Sequence, residues 1–150
     1  MFSIDAIMST NLITVAPSAT LAEARTLMHD NRIHHLPVDE NDQLVGLVTL
    51  TNVLAATDSF LRDDQSRIHA TEIGIGDTMV TDVATVDVNA SLRHAALFLE
   101  RHKIGCLPVL DDEKLVGIIT DTDFVAVAIN LLEQLEETEP VEDYDDADVG

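Results

Sequence analysis

Two twenty-residue stretches decide the reading of this chain: Ile33–Asn52, IHHLPVDENDQLVGLVTLTN, and Ile104–Asp123, IGCLPVLDDEKLVGIITDTD. They lie 71 positions apart and align without a gap. In each, an apolar run ends in Leu-Pro-Val, an acidic turn follows, and a second apolar run, Leu-Val-Gly-x-x-Thr, closes the stretch. Short β-branched runs bounded by turn residues predict two strands joined as a hairpin.

The match extends outward. Met8–Leu54 falls on Met79–Val125 without a gap, with 16 identities in 47 positions, where average composition gives roughly three or four. The chain is an internal duplication. Two copies are too few for a solenoid, so a pseudo-twofold pair is expected.

Each copy carries the same predicted elements. An extended piece, Ile13–Val15 or Ala84–Val86, comes first. A helix follows, with Thr20 as N-cap and Glu23 completing a capping box. Leu21, Ala24, Leu27 and Met28 form its apolar face. In the second copy Ser91 is the cap and Leu92, Ala95 and Leu99 the face. After the hairpin, a second helix closes each copy, over Thr51–Thr57 and from Thr122 to about Glu136. The order is β-α-β-β-α, twice. Antiparallel strands with helices on one side make an α+β fold. A unit of about 50 residues can hardly bury both faces of its helices, so the two units should pack together. The expected organisation is a first unit over 1–57, a linker over 58–75 with helical character in SFLRDDQSRIHA, a second unit over 76–136, and an acidic, disordered tail over 137–150.

Composition narrows the partners. Of the 150 residues 46% are hydrophobic but only 3% aromatic, so the core must be aliphatic. The formal charge of −20 argues against duplex nucleic acid and anionic membranes. Nine of the 28 acidic residues fall in Glu133–Gly150, which has no basic residue; such a run solvates and repels. Cys106 is the only cysteine, so no intramolecular disulfide framework exists. The start, MFSIDAIMSTNLITV, lacks the basic flank and apolar length of a signal peptide or membrane span. A cytoplasmic setting is the default expectation.

TVAPSATLAEARTLMHDNRIHHLPVDENDQLVGLVTLTNV and its second copy resemble tandem CBS domains, a Bateman module, over roughly Ile4 to Ile129. A short stand-alone pair of this kind also resembles the CBS part of acetoin-utilisation-type proteins. The resemblance implies a regulatory module that binds adenosine nucleotides in clefts between the copies, and a disc-like homodimer. It implies that the Thr after the Gly-hydrophobic-hydrophobic run, with the residue three positions later, holds the ribose. These are Thr120 and Asp123 in the second copy, Thr49 and Asn52 in the first. The strand before Pro supplies adenine contacts: Ile104, Gly105, Cys106 and Pro108, or His34, His35 and Pro37. The piece before the first helix lines the pocket: Thr81, Asp82, Val83 and Ala84, or Thr10, Asn11, Leu12 and Ile13. The contact residues expected for each site thus come from one copy, the first site being the weaker.

The residue chemistry is compatible with that. A carboxylate accepts from two adjacent hydroxyls at once, as Asp123 could from a ribose; the Asn52 amide has a single acceptor oxygen. Gly117 lets another chain segment approach its strand. Gly105 would leave room beside a flat base, with Ile104 and Val83 as aliphatic walls. On chemistry alone Thr120, Asp121 and Asp123 serve equally well as a helix start. Arg32, His102 and Lys103 are the phosphate candidates. The chain has only eight Lys and Arg, which favours AMP or ADP over ATP. Adjacent His34 and His35 face opposite sides of a strand and suit a shared metal poorly, so no metal site is expected, and no cofactor is required. Cys106 reads as a small buried apolar residue.

No Gly-x-Ser-x-Gly, P-loop, His-Glu-x-x-His or Cys-x-x-Cys pattern occurs. A non-enzymatic module acting through an unknown effector protein is expected. The alternative is a structural or partner-binding module with vestigial pockets. The apolar segment FVAVAINLLEQL exceeds what one unit can cover and points to a homodimer.

Overall fold

The computed structural model describes residues 3–58 and 73–138. The bulk of the expected linker, 59–72, and the tail from 139 lie outside the described residues. In each copy a 3-10 turn comes first, Ile4–Ala6 and Ile75–Asp77. The first unit has α1 (Leu21–Asn31), β1 (His35–Glu40), β2 (Gln43–Thr49) and α2 (Leu50–Asp58). The second has β3 (Val86–Asp87), α3 (Leu92–His102), β4 (Cys106–Asp111), β5 (Lys114–Thr120) and α4 (Asp121–Thr138). Corresponding elements begin 71 positions apart, as the duplication requires.

The local chemistry is as written in the sequence. The Thr20 hydroxyl accepts from Glu23 N at 3.2 Å and Glu23 Oε2 accepts from Thr20 N at 3.1 Å, a complete capping box. Ser91 Oγ accepts from His94 N at 3.1 Å. Leu21, Ala24 and Met28 are buried on α1, as are Leu92, Ala95 and Leu99 on α3. The hairpins turn at Asn41-Asp42 and Asp112-Glu113, all four with φ between 50° and 68°. That left-handed pair is the tight two-residue turn that fits strand twist.

β1 pairs antiparallel with β2 and β4 with β5. The extended pieces differ from expectation. β3 runs parallel to β4, and Val15 forms a single parallel bridge with Val38. A helix lies between each extended piece and the strand it joins, which is the crossover that parallel pairing needs. α4 reaches Thr138, past the residue where the tail was expected to begin.

Two aliphatic cores result, one per unit, and each recruits the 3-10 turn of the other copy. Ile75 is fully buried in the core of Leu21, Met28, Leu36, Val48 and Val53. Ile4 is fully buried in the core of Leu92, Leu99, Leu107 and Ile119. Ser9 and Ile118 exchange backbone hydrogen bonds at 2.9 and 3.1 Å; Val80 and Leu47 do so at 2.9 Å each. Both pairs are related by the shift of 71. The entry segments are therefore swapped between the units. Gly117 permits this: a Cβ there would lie 2.5 Å from Met8 Sδ and 3.1 Å from the Ser9 carbonyl oxygen. At Gly46 a Cβ would collide with Met79 Sδ.

Candidate functional site

β5 ends at Thr120, and the next residues start α4. Thr120 N donates to Asp123 Oδ2 at 2.8 Å and the Thr120 hydroxyl donates to the same oxygen at 3.2 Å. Asp123 N donates back to the hydroxyl at 3.4 Å. Thr49 and Asn52 repeat the arrangement at the start of α2: Thr49 N and Oγ1 donate to Asn52 Oδ1 at 3.2 and 2.7 Å, and Asn52 N donates to Thr49 Oγ1 at 3.1 Å. Both residues therefore cap a helix, and capping tolerates either side chain. What is left over differs. Asp123 retains a second carboxylate oxygen, an acceptor; Asn52 retains an NH₂, a donor.

Asp123 opens onto a cleft of about 320 Å³ between the units, lined by Asn11, Leu12, Ile13, Arg32, His34, His35 and Pro37 of the first copy and Thr120 and Asp123 of the second. Ser9, Ile33, Ile118, Asp121 and Thr122 complete it. Its size lies at the lower end of ordinary small-ligand sites, roughly 300–1,000 Å³. The grouping expected from sequence is thereby corrected. Thr120 and Asp123 meet the loop and strand of the other copy, because the Ser9–Ile118 bridge lays the first entry segment along β5. The Val80–Leu47 bridge repeats this on the other side, laying the second entry segment along β2, the strand that ends at Thr49.

The remaining candidates are dispersed. Thr81 and Val83 line a second cleft of about 270 Å³ beside Gln43–Gly46. Ile104, Gly105 and Lys103 line a third, about 410 Å³, between α3 and the start of α4. Ile104 and Val83 therefore do not wall one base site. Cys106 and Pro108 are buried. His102 stacks on Phe98 with ring centroids 4.2 Å apart. Thr10, Asp82, Ala84, Thr49 and Asn52 line none of these three clefts. Gly105 does not leave room for a base: a Cβ there would lie 3.0 Å from His35 Nε2, so the space is taken by that imidazole.

His35 sits at the junction of the copies. Burial lowers its pKa below the ordinary 6.5, Asp121 opposes that shift and His34 adds to it. The Cys106 thiol is pushed up to about 12 by burial and then by Asp121. It is 4% exposed, and a buried protonated thiol is inert. Asp121 N donates to the Gly105 carbonyl at 3.0 Å, which fixes the start of α4 beside His35.

Arg32 and Lys103 end α1 and α3 in the left-handed conformation, φ 54° and 52°. Glycine is usual at such a position. A side chain there costs roughly 1 kcal/mol, yet both copies place a cation. Arg32 lines the main cleft.

Among the described residues no group of three or more His, Cys, Asp or Glu is arranged to hold a metal ion. No described helix is long and apolar enough to cross a membrane.

The CBS domain family model matches residues 4–59 and 75–130. The chain belongs to the CBS-domain family, as a tandem pair. It is similar to the CBS domain-containing protein YhcV of Bacillus subtilis (strain 168), 31% identical over 119 residues, 79% of this chain and 80% of that one. Among solved structures it is similar to a putative acetoin utilization protein (AcuB) from Vibrio cholerae, with 40% identity, a TM-score of 0.77, and 93% of this chain and 99% of that one covered. It is also similar to CBSX2 in complex with AMP, with 31% identity, a TM-score of 0.74, and 88% and 99% covered. Two further curated relatives are longer, the chain spanning 24% and 21% of their lengths.

Three lining residues escaped the sequence reading of the cleft: Ser9, Ile118 and Thr122. Periodicity marks which residues are buried, not which unit they are buried in. The one available signal was the Met-Gly correspondence, Met8 with Gly117 and Met79 with Gly46, which the swap explains.

Proposed function

We propose that this CBS pair is a regulatory module that binds an adenosine nucleotide in the cleft between the copies and performs no catalysis. One observation carries it: the cleft joins the second copy's Thr120–Asp123 pair to the first copy's Asn11–Ile13 segment, with Arg32 in the lining. The free oxygen of Asp123 can accept from ribose hydroxyls, Leu12, Ile13, Ile33 and Ile118 can flank a base, and Arg32 can meet a phosphate. The similarity to a protein solved with AMP supports the ligand class. With one arginine in the lining, AMP or ADP suits the cleft better than ATP. Because the ligand touches both copies, its binding favours one packing of the units over others, and an effector protein would read that packing. A site around Thr49 and Asn52 would be the weaker of the pair.

Thermal shift with AMP, ADP, ATP, GTP and S-adenosylmethionine tests this. A ligand that binds only the folded state raises Tm with concentration. Adenosine nucleotides are expected to raise it and GTP to leave it unchanged. No shift with any adenosine compound would favour a purely partner-binding module.

The same module is proposed to be a homodimer. Val125, Ile129, Leu132 and Leu135 of α4 are 52–57% exposed, and their spacing places Val125, Ile129 and Leu132 on one stripe. A stripe of that kind is normally covered.

A further inference from the structure

The residues that line the main cleft and their counterparts by the shift of 71 are not electrostatically equal. Where the main cleft has Asp121 and Asp123, the positions 71 residues earlier are Leu50 and Asn52. Arg32 is replaced by Lys103, which keeps the positive charge, and Asn11 by Asp82. Imidazoles aside, the main cleft holds two carboxylates and one guanidinium. Asp123 is committed to Thr120. Asp121 is not needed for that cap. Its Oδ1 accepts from Thr122 N at 2.9 Å, and the residue is exposed, lining both the main cleft and the third cleft beside Lys103.

Asp121 lines the cleft, and charges closer together than the screening length of roughly 8 Å at physiological salt are only partly shielded. An anionic group placed beside Asp121 is repelled by its carboxylate. Leu50 at the corresponding position exerts no such repulsion. We propose that Asp121 is a specificity-determining residue: its carboxylate limits the number of phosphates a bound adenosine ligand can carry, so this cleft accepts a monophosphate and rejects a triphosphate. This rests on the cleft being an adenosine site. Helix capping does not call for a charge here, since the first copy starts α2 with leucine.

Calorimetric titration of the full chain with adenosine, AMP and ATP, without divalent cations, tests it on the wild type, Asp121→Asn and Asp121→Leu. Asn retains an acceptor for Thr122 N and removes only the charge. The wild type is expected to bind AMP about tenfold or more tightly than ATP. Both substitutions are expected to improve ATP at least about threefold more than AMP, leaving adenosine nearly unchanged, and added salt should narrow the wild-type gap. An unchanged AMP-to-ATP ratio in Asp121→Asn would overturn the proposal. So would equal weakening of all three ligands in Asp121→Leu with rescue by Asp121→Asn, which marks a structural role. If none of the three binds, the adenosine reading fails and the proposal with it; binding with an unmoved ratio defeats the proposal alone.

Discussion

At the scale of single residues, Asp123 and Asn52 do the same structural work with different chemistry to spare. Replacing Asp123 by alanine removes a cap, costing about 1 kcal/mol of stability. It also removes a charged acceptor worth roughly 1.5–3 kcal/mol to a ligand, so AMP affinity is expected to fall by about tenfold or more in calorimetry. Asn52→Ala should cost similar stability and far less affinity. Arg32→Gly is expected to give effects of opposite sign. Relief of the left-handed side chain should stabilise the fold by up to roughly 1 kcal/mol, while AMP binding weakens; denaturant melts alongside titrations would show both. His35 supplies a pH test. Its folded pKa is depressed, so the unfolded chain takes up the proton first. The stability it contributes is complete above the ordinary 6.5 and is lost as pH falls from there through the folded value. Against a non-titrating His35→Gln variant, the wild type should lose Tm as pH drops below about 6.5. A pH-independent difference would contradict the placement.

At the scale of elements, the sequence was legible wherever the determinants are local. The capping box at Thr20 and Glu23, the cap at Ser91, the apolar faces of α1 and α3 and both hairpins follow from residues within a few positions of one another. The parallel pairing of β3 and the swap of the 3-10 turns depend on contacts between distant segments, which periodicity does not encode. The site was half legible for the same reason. Thr120 and Asp123 were found because they sit in a repeated local motif, and their wrong partners were assigned because the repeat hides which copy an entry segment joins. Gly117→Ala tests the swap. Its Cβ must displace Met8, at a cost of about 1–3 kcal/mol. Ile4→Ala should cost about 2–5 kcal/mol, and hydrogen exchange should rise in the amides of β4 and β5 ahead of those in β1 and β2. The reverse order would contradict the swap.

At the scale of the whole molecule, the exchanged segments tie two small units into one body and put the cleft at their junction. A unit alone would lack part of its core, since Ile4 and Ile75 belong to the opposite copy by sequence. The exposed stripe on α4 lies outside that junction. Ile129→Glu with Leu132→Glu is expected to shift sedimentation to the monomer while leaving the melting transition cooperative. The central claim is that the ligand site is shared between copies. Backbone amide NMR during an AMP titration reads this most directly. Asn11, Leu12, Ile13 and His35 are expected to shift together with Thr120 and Asp123, with one affinity. Perturbation of Thr120 and Asp123 together with Thr81–Ala84, leaving Asn11–Ile13 unmoved, would contradict it.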